Sequence, residues 1–180
     1  MASIITIRRM TYEDLRVIEH INADEFTVTF SWTFYSHYLN KWPKYCFVAE
    51  IGEDIVGIMI GKAEGSVEDM DWHGHISAVS VLKEYRGLGI GKLLCRELER
   101  ISDIDECFFV DLFVRADNPA VQWYERLGYT MYRRVLDYYT EQDGGRNDGI
   151  EMRMSLSRDP EKKTQEPFGR DVRPEELTYN

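Results

Sequence analysis

Apolar positions change spacing several times along the chain, and each change marks an element. Ile4, Ile5 and Ile7 cluster as in a short first strand. Thr11, with Asp14 three residues on, reads as the cap of a helix whose apolar face would be Leu15, Ile18 and Ile21. A polar and aromatic stretch then leads to a second short helix over residues 34–41, ended at Trp42-Pro43 because the residue before a proline is pushed out of helical backbone. Two apolar runs, residues 46–50 and 55–61, flank Gly52-Glu53-Asp54 and predict a β-hairpin.

After a polar connection, residues 75–82 read as a strand. The period then lengthens: Ile90, Leu93, Leu94, Leu98 and Ile101 fall on one helical face. Residues 107–114 predict a buried strand, 119–127 a helix stopped at Gly128, and 129–139 with 150–156 a final strand pair. Strand pairs mixed with strand-helix-strand units imply an α/β layer fold with a mixed sheet. From Ser157 the composition shifts, with 11 of 24 residues charged and three of the five prolines. That predicts a domain over residues 1–156 and a charged, Pro-containing C-terminal tail over 157–180, extended and without a packed structure of its own.

Charge and cysteine usage narrow the classes. The 180 residues carry 22 Lys and Arg against 32 Asp and Glu, a net charge of −10, which argues against binding a phosphate backbone. Three scattered cysteines, Cys46, Cys95 and Cys107, suggest neither a disulfide framework nor a zinc site, and fit a reducing compartment. No apolar run approaches the roughly 20 residues that span a bilayer, so the expectation is a cytoplasmic protein with no membrane contact.

The most informative stretch runs from Val79 through Arg86-Gly87-Leu88-Gly89-Ile90-Gly91: a strand, a glycine-rich turn, then a helix. Glycines remove Cβ atoms where the helix begins, so backbone N–H groups can approach an anion that the helix dipole also favours. A diphosphate suits such a turn, but the spacing fits neither a P-loop nor the dinucleotide fingerprint. A plain tight turn leading into an amphipathic helix would use the same residues.

Arg86-x-x-Gly89-x-Gly91 resembles the pyrophosphate loop of the GNAT superfamily of acetyl-CoA-dependent N-acetyltransferases. Asp117-Asn118-Pro119-Ala120 followed by Tyr124 and Gly128-Tyr129 looks like that superfamily's second signature, with Asn118 one residue closer to the Tyr than usual and Asp117 in its register. The resemblance implies a GNAT fold, a single domain with a mixed central β-sheet flanked by helices, and acetyl-CoA as co-substrate with no metal. Narrower motifs look like the catalytic subunits of NatB-type N-terminal acetyltransferases. They include Gly61-Lys62-Ala63-Glu64-Gly65, Trp72-His73-Gly74-His75, Val110-Asp111-Leu112-Phe113-Val114-Arg115, Tyr138-Tyr139 and Val172-Arg173-Pro174-Glu175. In residues 24–33 the chain departs from that pattern: Val28 stands where an acidic residue is expected and Phe30 where an aromatic is, and Glu25 is the nearest substitute carboxylate.

By this resemblance the chain would acetylate the α-amino group of proteins beginning Met-Asp, Met-Glu, Met-Asn or Met-Gln. Its partners would be a large helical-repeat auxiliary subunit, nascent polypeptide N-termini and, through the complex, the ribosome. Tyr124 would be the catalytic acid, with a core or surface aromatic as the plainer role. Val79 and Val81 would pair through their backbone with the cofactor's arm, and Arg86, Gly87, Leu88, Gly89, Ile90 and Gly91 would hold its pyrophosphate, with Asn118 nearby. Glu25, Phe30, His75, Ser77, Tyr138 and Tyr139 would contact the substrate. His73 and His75 could equally be structural histidines bonded to backbone, and too few further ligands surround them for a metal site. Tyr138 and Tyr139 could be core aromatics. Another GNAT substrate class would share the glycine turn but differ in the region of His75 and Tyr138, and the departures at Val28 and Phe30 leave open an acetyl-CoA-binding subunit without turnover.

Overall fold

The first strand, β1 (Ile5–Arg9), pairs antiparallel with β2 (Cys46–Ile51), which pairs antiparallel with β3 (Asp54–Glu64) across a turn that Gly52 enters at φ +65°. The computed structural model describes residues 4–18, 21, 30–140 and 144–177. After β3 come β4 (His73–Val81), helix α2 (Ile90–Ile104), β5 (Phe109–Arg115), α3 (Ala120–Leu127), β6 (Thr130–Thr140) and β7 (Arg146–Ser155); α1 (Trp32–Lys41) precedes β2. The strand order is β1-β2-β3-β4-β5-β7-β6. The chain forms two compact units, Met1–Ala63 with Ile76–Ile101, and Glu64–His75 with Ser102–Asn180.

In the first unit Leu15, Ile18, Ile21, Tyr35, Leu39, Val48, Ile58 and Ile60 form a buried core. The first predicted helix is not continuous here. Among the described residues the 3-10 turn Asp14–Arg16 follows β1 in place of a continuous helix, yet Leu15, Ile18 and Ile21 are buried as expected. The reason is Asp14: its carboxylate accepts from the Thr11 N–H and hydroxyl, and Arg8 forks onto it at 2.7 and 2.9 Å. Those contacts tie the segment to β1, and the apolar side chains reach the core from a tight turn. Gly57 lets α2 approach the sheet, since a Cβ there would meet Ile90 Cγ2 at 3.1 Å and Leu94 Cδ1 at 3.3 Å.

In the second unit β5 and β6 both pair antiparallel with β7. Glu151, 1 % exposed, accepts from Arg133 Nε at 2.5 Å and Arg153 Nε at 2.7 Å, so its buried charge is paired on two sides. The C-terminal segment differs from the extended tail that composition predicts. Asp159, 3 % exposed, accepts from Thr164 N, Lys163 N and Ser155 Oγ, folding the segment into a tight loop. Further on, Val172 bonds the backbone of Arg134 and Leu136 and bridges to Val135, while Leu177 is buried. Composition counted the charges but not these local acceptors. The segment also caps the outer strand, whose unpaired backbone groups would otherwise be exposed.

Candidate active site

The glycine turn lies in the first unit, and its backbone has the freedom that anion binding requires. Along β4 burial alternates: Ile76, Ala78 and Ser80 are buried, while His75, Ser77, Val79 and Val81 are half-buried on the other face. Arg86 Nε donates to the Val81 carbonyl at 3.0 Å, folding the turn back on the strand end. Gly87 and Gly89 sit at φ +81° and +83°, and a Cβ on either would meet nothing within 4 Å. The glycines are therefore needed for backbone conformation, and the space beside them is open. Leu88 is exposed, whereas Ile90 is 1 % exposed and anchors the start of α2. Only the backbone of Ile90 can meet an anion. The first N–H groups of a helix have no intrahelical acceptor, so residues 87–91 fit a pyrophosphate.

Ser77 and Phe30 are also placed in this unit. The Ser77 hydroxyl pairs with the Tyr38 hydroxyl at 2.9 Å, so the serine is oriented by α1. Phe30 stacks on Phe34 at 4.0 Å, Phe34 meets Tyr38 at 4.5 Å, and Tyr38 meets Trp42 at 5.1 Å. Phe34 and Tyr38, four apart on α1, line one face, and Phe30 and Trp42 extend that row just beyond the two ends of the helix. Glu25, with Phe26 and Val28, lies outside the described residues.

The second unit carries a cluster of two imidazoles on one carboxylate. Asp111, in the middle of β5 and 4 % exposed, accepts from His75 Nδ1 at 2.8 Å, and the same oxygen lies 3.6 Å from His73 Nε2. His73 donates its Nδ1–H to the Asp71 carbonyl and stacks on Phe109 at 4.6 Å. Burial alone would raise the Asp111 pKa; the positive charges that His73, His75 and Arg153 can carry, with the His75 hydrogen bond, hold it well below the usual carboxylate range instead. An ionised Asp111 can only accept, so His75 Nδ1 carries a proton and Nε2 is the nitrogen left for other work.

Tyr138 reaches this cluster through a chain of rings. Phe113 lies 6.1 Å from the His75 ring and stacks on Tyr138 at 4.8 Å, and Tyr139 meets Tyr138 edge-on at 4.9 Å. The β6 to β7 register shifts between Val135 and Tyr139, with Asp137 at φ +56° and its N–H on Asp148 Oδ1. This bulge re-aims Tyr138. Its ring then packs on Gly149, where a Cβ would come within 2.9 Å of Tyr138 Cδ1.

Tyr124 and Asn118 belong to the same unit, at α3. Asn118 Oδ1 accepts from Ala120 N at 2.8 Å and caps the helix start, while Asp117 forks with Arg115. Tyr124 is 7 % exposed and packs edge-on against Trp123 at 4.8 Å and Tyr129 at 5.6 Å. Gly128 at φ +107° ends the helix just beyond it, as its position in the sequence predicts.

Within the first unit the structure thus gathers Val79, Val81, Arg86 and the glycines at one strand end, with Ser77 held by Tyr38. Within the second it gathers His75, Tyr138 and Tyr139, and sets Asn118 and Tyr124 on α3. Asp111, Phe113, Tyr38 and Gly149 were not singled out for a role at the site from sequence. The signal for Asp111 was present: an acid inside the otherwise apolar run Phe108-Phe109-Val110-Asp111-Leu112-Phe113. All three cysteines are buried, and burial pushes the Cys46 thiol up to about 12 and the Cys95 thiol higher, far from the thiolate a nucleophile needs. Among the described residues no group of three or more His, Cys, Asp or Glu could hold a metal ion, and no helix is long and apolar enough to cross a membrane.

A glycine turn between strand and helix, a Tyr on the next helix and, among the described residues, a mixed seven-stranded sheet with three α-helices define an acyltransferase scaffold, and residues 12–129 match the model of the acetyltransferase (GNAT) family. The N-terminal acetyltransferase B complex catalytic subunit NAA20 of Arabidopsis thaliana is 49% identical over 178 residues, covering 97% of this chain and 99% of that protein. The crystal structure of Chaetomium thermophilum Naa20 in complex with a bisubstrate analogue superposes with a TM-score of 0.86 at 37% identity, covering 94% of this chain and 97% of that one. A structure of the NatB acetyltransferase complex bound to a bisubstrate inhibitor gives 0.80 at 33% identity, over 97% of this chain and 99% of that one. The chain belongs to the GNAT acetyltransferases and, within them, to the NatB catalytic subunits, which are N-terminal acetyltransferases.

Proposed function

We propose that this chain transfers the acetyl group of acetyl-CoA to the α-amino group of proteins beginning Met-Asp, Met-Glu, Met-Asn or Met-Gln, by direct amine attack in a ternary complex. The observation that carries this reading is His75, whose Nδ1 is committed to Asp111. That leaves Nε2, with the Ser77 hydroxyl on the same face of β4, for a polar second side chain. An apolar second residue would leave His75 Nε2 unpaired, at about 1–3 kcal/mol.

A free α-amine has a pKa of about 7.7–8.0, so roughly a tenth is neutral near pH 7 and a weak base or a water suffices to deprotonate the rest. The leaving thiolate is more demanding, since its thiol pKa is about 8.5. The Tyr124 hydroxyl supplies that proton. Backbone N–H groups near Val81 polarise the thioester carbonyl, with Val79 pairing with the pantetheine arm in the manner of an added strand. Arg86 and the backbone of residues 87–91 hold the pyrophosphate, Asn118 is a further cofactor residue, and Phe30, Glu25, Tyr138 and Tyr139 are the residues assigned to the peptide. Bound acetyl-CoA contributes the activated acetyl group; the chain orients it and excludes competing acceptors. The three buried thiols speak against an acetyl-cysteine route.

The working form in this reading is a heterodimer with a large helical-repeat NatB auxiliary subunit, cytoplasmic and ribosome-associated through the complex. It meets nascent N-termini and touches neither nucleic acid nor membrane directly. Trp32, 61 % exposed on α1, supports a protein contact there. Steady-state acetylation of a peptide panel is the test. Met-Asp, Met-Glu, Met-Asn and Met-Gln starts should exceed Ser-Ala and Met-Leu starts by roughly ten- to a hundredfold. Equal rates across the panel would overturn the reading.

A further inference from the structure

We propose that Asp111 is a positioning residue that fixes the hydrogen-bonding state of His75 Nε2, and through it sets how the enzyme divides its activity between acidic and amide second residues as pH changes. The inference deepens the substrate reading above and rests on it.

The geometry is one carboxylate oxygen shared by two rings. Asp111 Oδ1 accepts from His75 Nδ1 at 2.8 Å and faces His73 Nε2 at 3.6 Å from inside β5, where it is almost wholly buried. A buried anion is tolerated only when positive charge or strong donors compensate it. The compensating groups are His75 and His73 on β4 and, through space, Arg153 on β7. His73 in turn faces Glu64 of β3 at 3.9 Å and the Asp71 carboxylate at 3.9 Å. Beyond Asp111, the ring nearest His75 is Phe113, which cannot titrate.

With Nδ1–H donated to Asp111, His75 has two states. Neutral, it offers only a lone pair at Nε2; as imidazolium it offers an N–H there. A substrate carboxylate accepts and cannot donate, so Met-Asp and Met-Glu are held only by the imidazolium. A substrate amide can do either, accepting through its oxygen or donating through its NH₂. Met-Asn and Met-Gln are therefore served by both states.

The test is the ratio of kcat/KM for a Met-Asp peptide to that for a Met-Asn peptide, measured with the full chain across about pH 6 to 8.5, the range in which imidazoles titrate. Deprotonation of the α-amine, cofactor binding and the chemical step are common to both peptides and cancel. The ratio should fall about tenfold or more as pH rises across this range. In Asp111→Asn the shape is kept and the charge removed. If the amide oxygen accepts from Nδ1, the fall moves to lower pH because the neighbouring anion is gone; if the amide NH₂ donates to Nδ1, Nε2 carries hydrogen throughout and the ratio becomes flat. Either outcome supports the proposal, provided acetyl-CoA affinity shows the variant folded. A flat ratio in the unaltered chain, or the same fall at the same pH in Asp111→Asn, overturns it. Should Asp111→Asn fail to fold, ¹⁵N-histidine NMR of the unaltered chain decides: His75 must keep hydrogen on Nδ1 and titrate at Nε2, and the opposite tautomer overturns the proposal. A panel in which neither peptide exceeds Met-Leu sinks the substrate reading instead, and the NMR result still judges Asp111.

Discussion

The glycine turn and the His75–Asp111 cluster are each suited to negative charge, and by opposite means. The turn is built from backbone: Gly87 and Gly89 at positive φ, open space around them, and a helix start that presents N–H groups. The cluster is built from side chains 36 residues apart in sequence, with an anion already inside the protein and imidazoles arranged around it. A backbone site has no ionisable group of its own, so its response to pH is that of the ligand. A site of imidazoles on a carboxylate responds to pH itself. The first suits a constant cofactor, the second a choice among substrates.

The largest effect should come from filling the open turn. Gly89→Trp would put bulk in the anion's path and force a side chain onto φ +83°, and Gly91→Trp would obstruct the helix start; calorimetry on folded protein should find acetyl-CoA binding abolished. Unchanged affinity would dissolve the contrast by removing the turn from cofactor binding.

Next in size is Tyr124→Phe, which keeps the ring packing against Trp123 and Tyr129 while deleting the proton. We expect kcat to fall by about 10²- to 10⁴-fold with acetyl-CoA affinity little changed; a small loss spread over KM would assign Tyr124 to packing.

His75→Ala should flatten the preference for Met-Asp over Met-Leu by roughly ten- to a hundredfold and leave acetyl-CoA affinity nearly intact. Equal loss on both peptides would move His75 into folding or catalysis, and the side-chain site would then have no separate role in selection.

Gly149→Ala tests how finely Tyr138 is aimed. The added Cβ must displace a ring whose nearest atom would be 2.9 Å away, so a stability loss of about 1–3 kcal/mol and a raised peptide KM are expected. A variant as stable as the parent, with KM unchanged, would show the bulge to be slack.

The smallest effect separates an anion held by fixed donors from one held by imidazoles. Asp159 is buried, which opposes ionisation, but Thr164, Ser155 and Lys163 donate to it and keep its pKa below the usual carboxylate value. Its stabilisation is therefore complete above about pH 4 and lost as pH falls through the native value. Asp159→Asn should unfold more readily than the parent at neutral pH, with the gap in urea midpoint narrowing in acid. A gap independent of pH would mean that the charge of Asp159 contributes nothing.

Much of this molecule is dictated locally. The hairpin around Gly52, the glycine turn, the amphipathic face of α2 and the stop of α3 at Gly128 each depend on residues a few positions apart, and the folded chain has them, except that Leu93, expected on the buried face of α2 with Ile90, Leu94, Leu98 and Ile101, is exposed. The motifs around Arg86, Tyr124 and His75 were legible for the same reason, since spacing along a turn or strand is a sequence property. Leu15, Ile18 and Ile21 show the limit: their burial follows from their apolar character, but Arg8 and Glu50, 42 residues apart and joined at 2.6 Å, meet around the Asp14 turn and replace the helix. The C-terminal segment fails the compositional reading because Asp159 finds donors four and five residues on, and Val172 finds the edge of β6. What tertiary structure alone decided is the partner of each site residue. The adjacency of β4 and β5 brings Asp111 to His75, a bulge turns Tyr138 onto Phe113, and α1 brings Tyr38 to Ser77. Sequence spacing fixes which face a side chain occupies, whereas register and packing between distant segments fix what it meets there, and that is where a histidine acquires its tautomer and its charge.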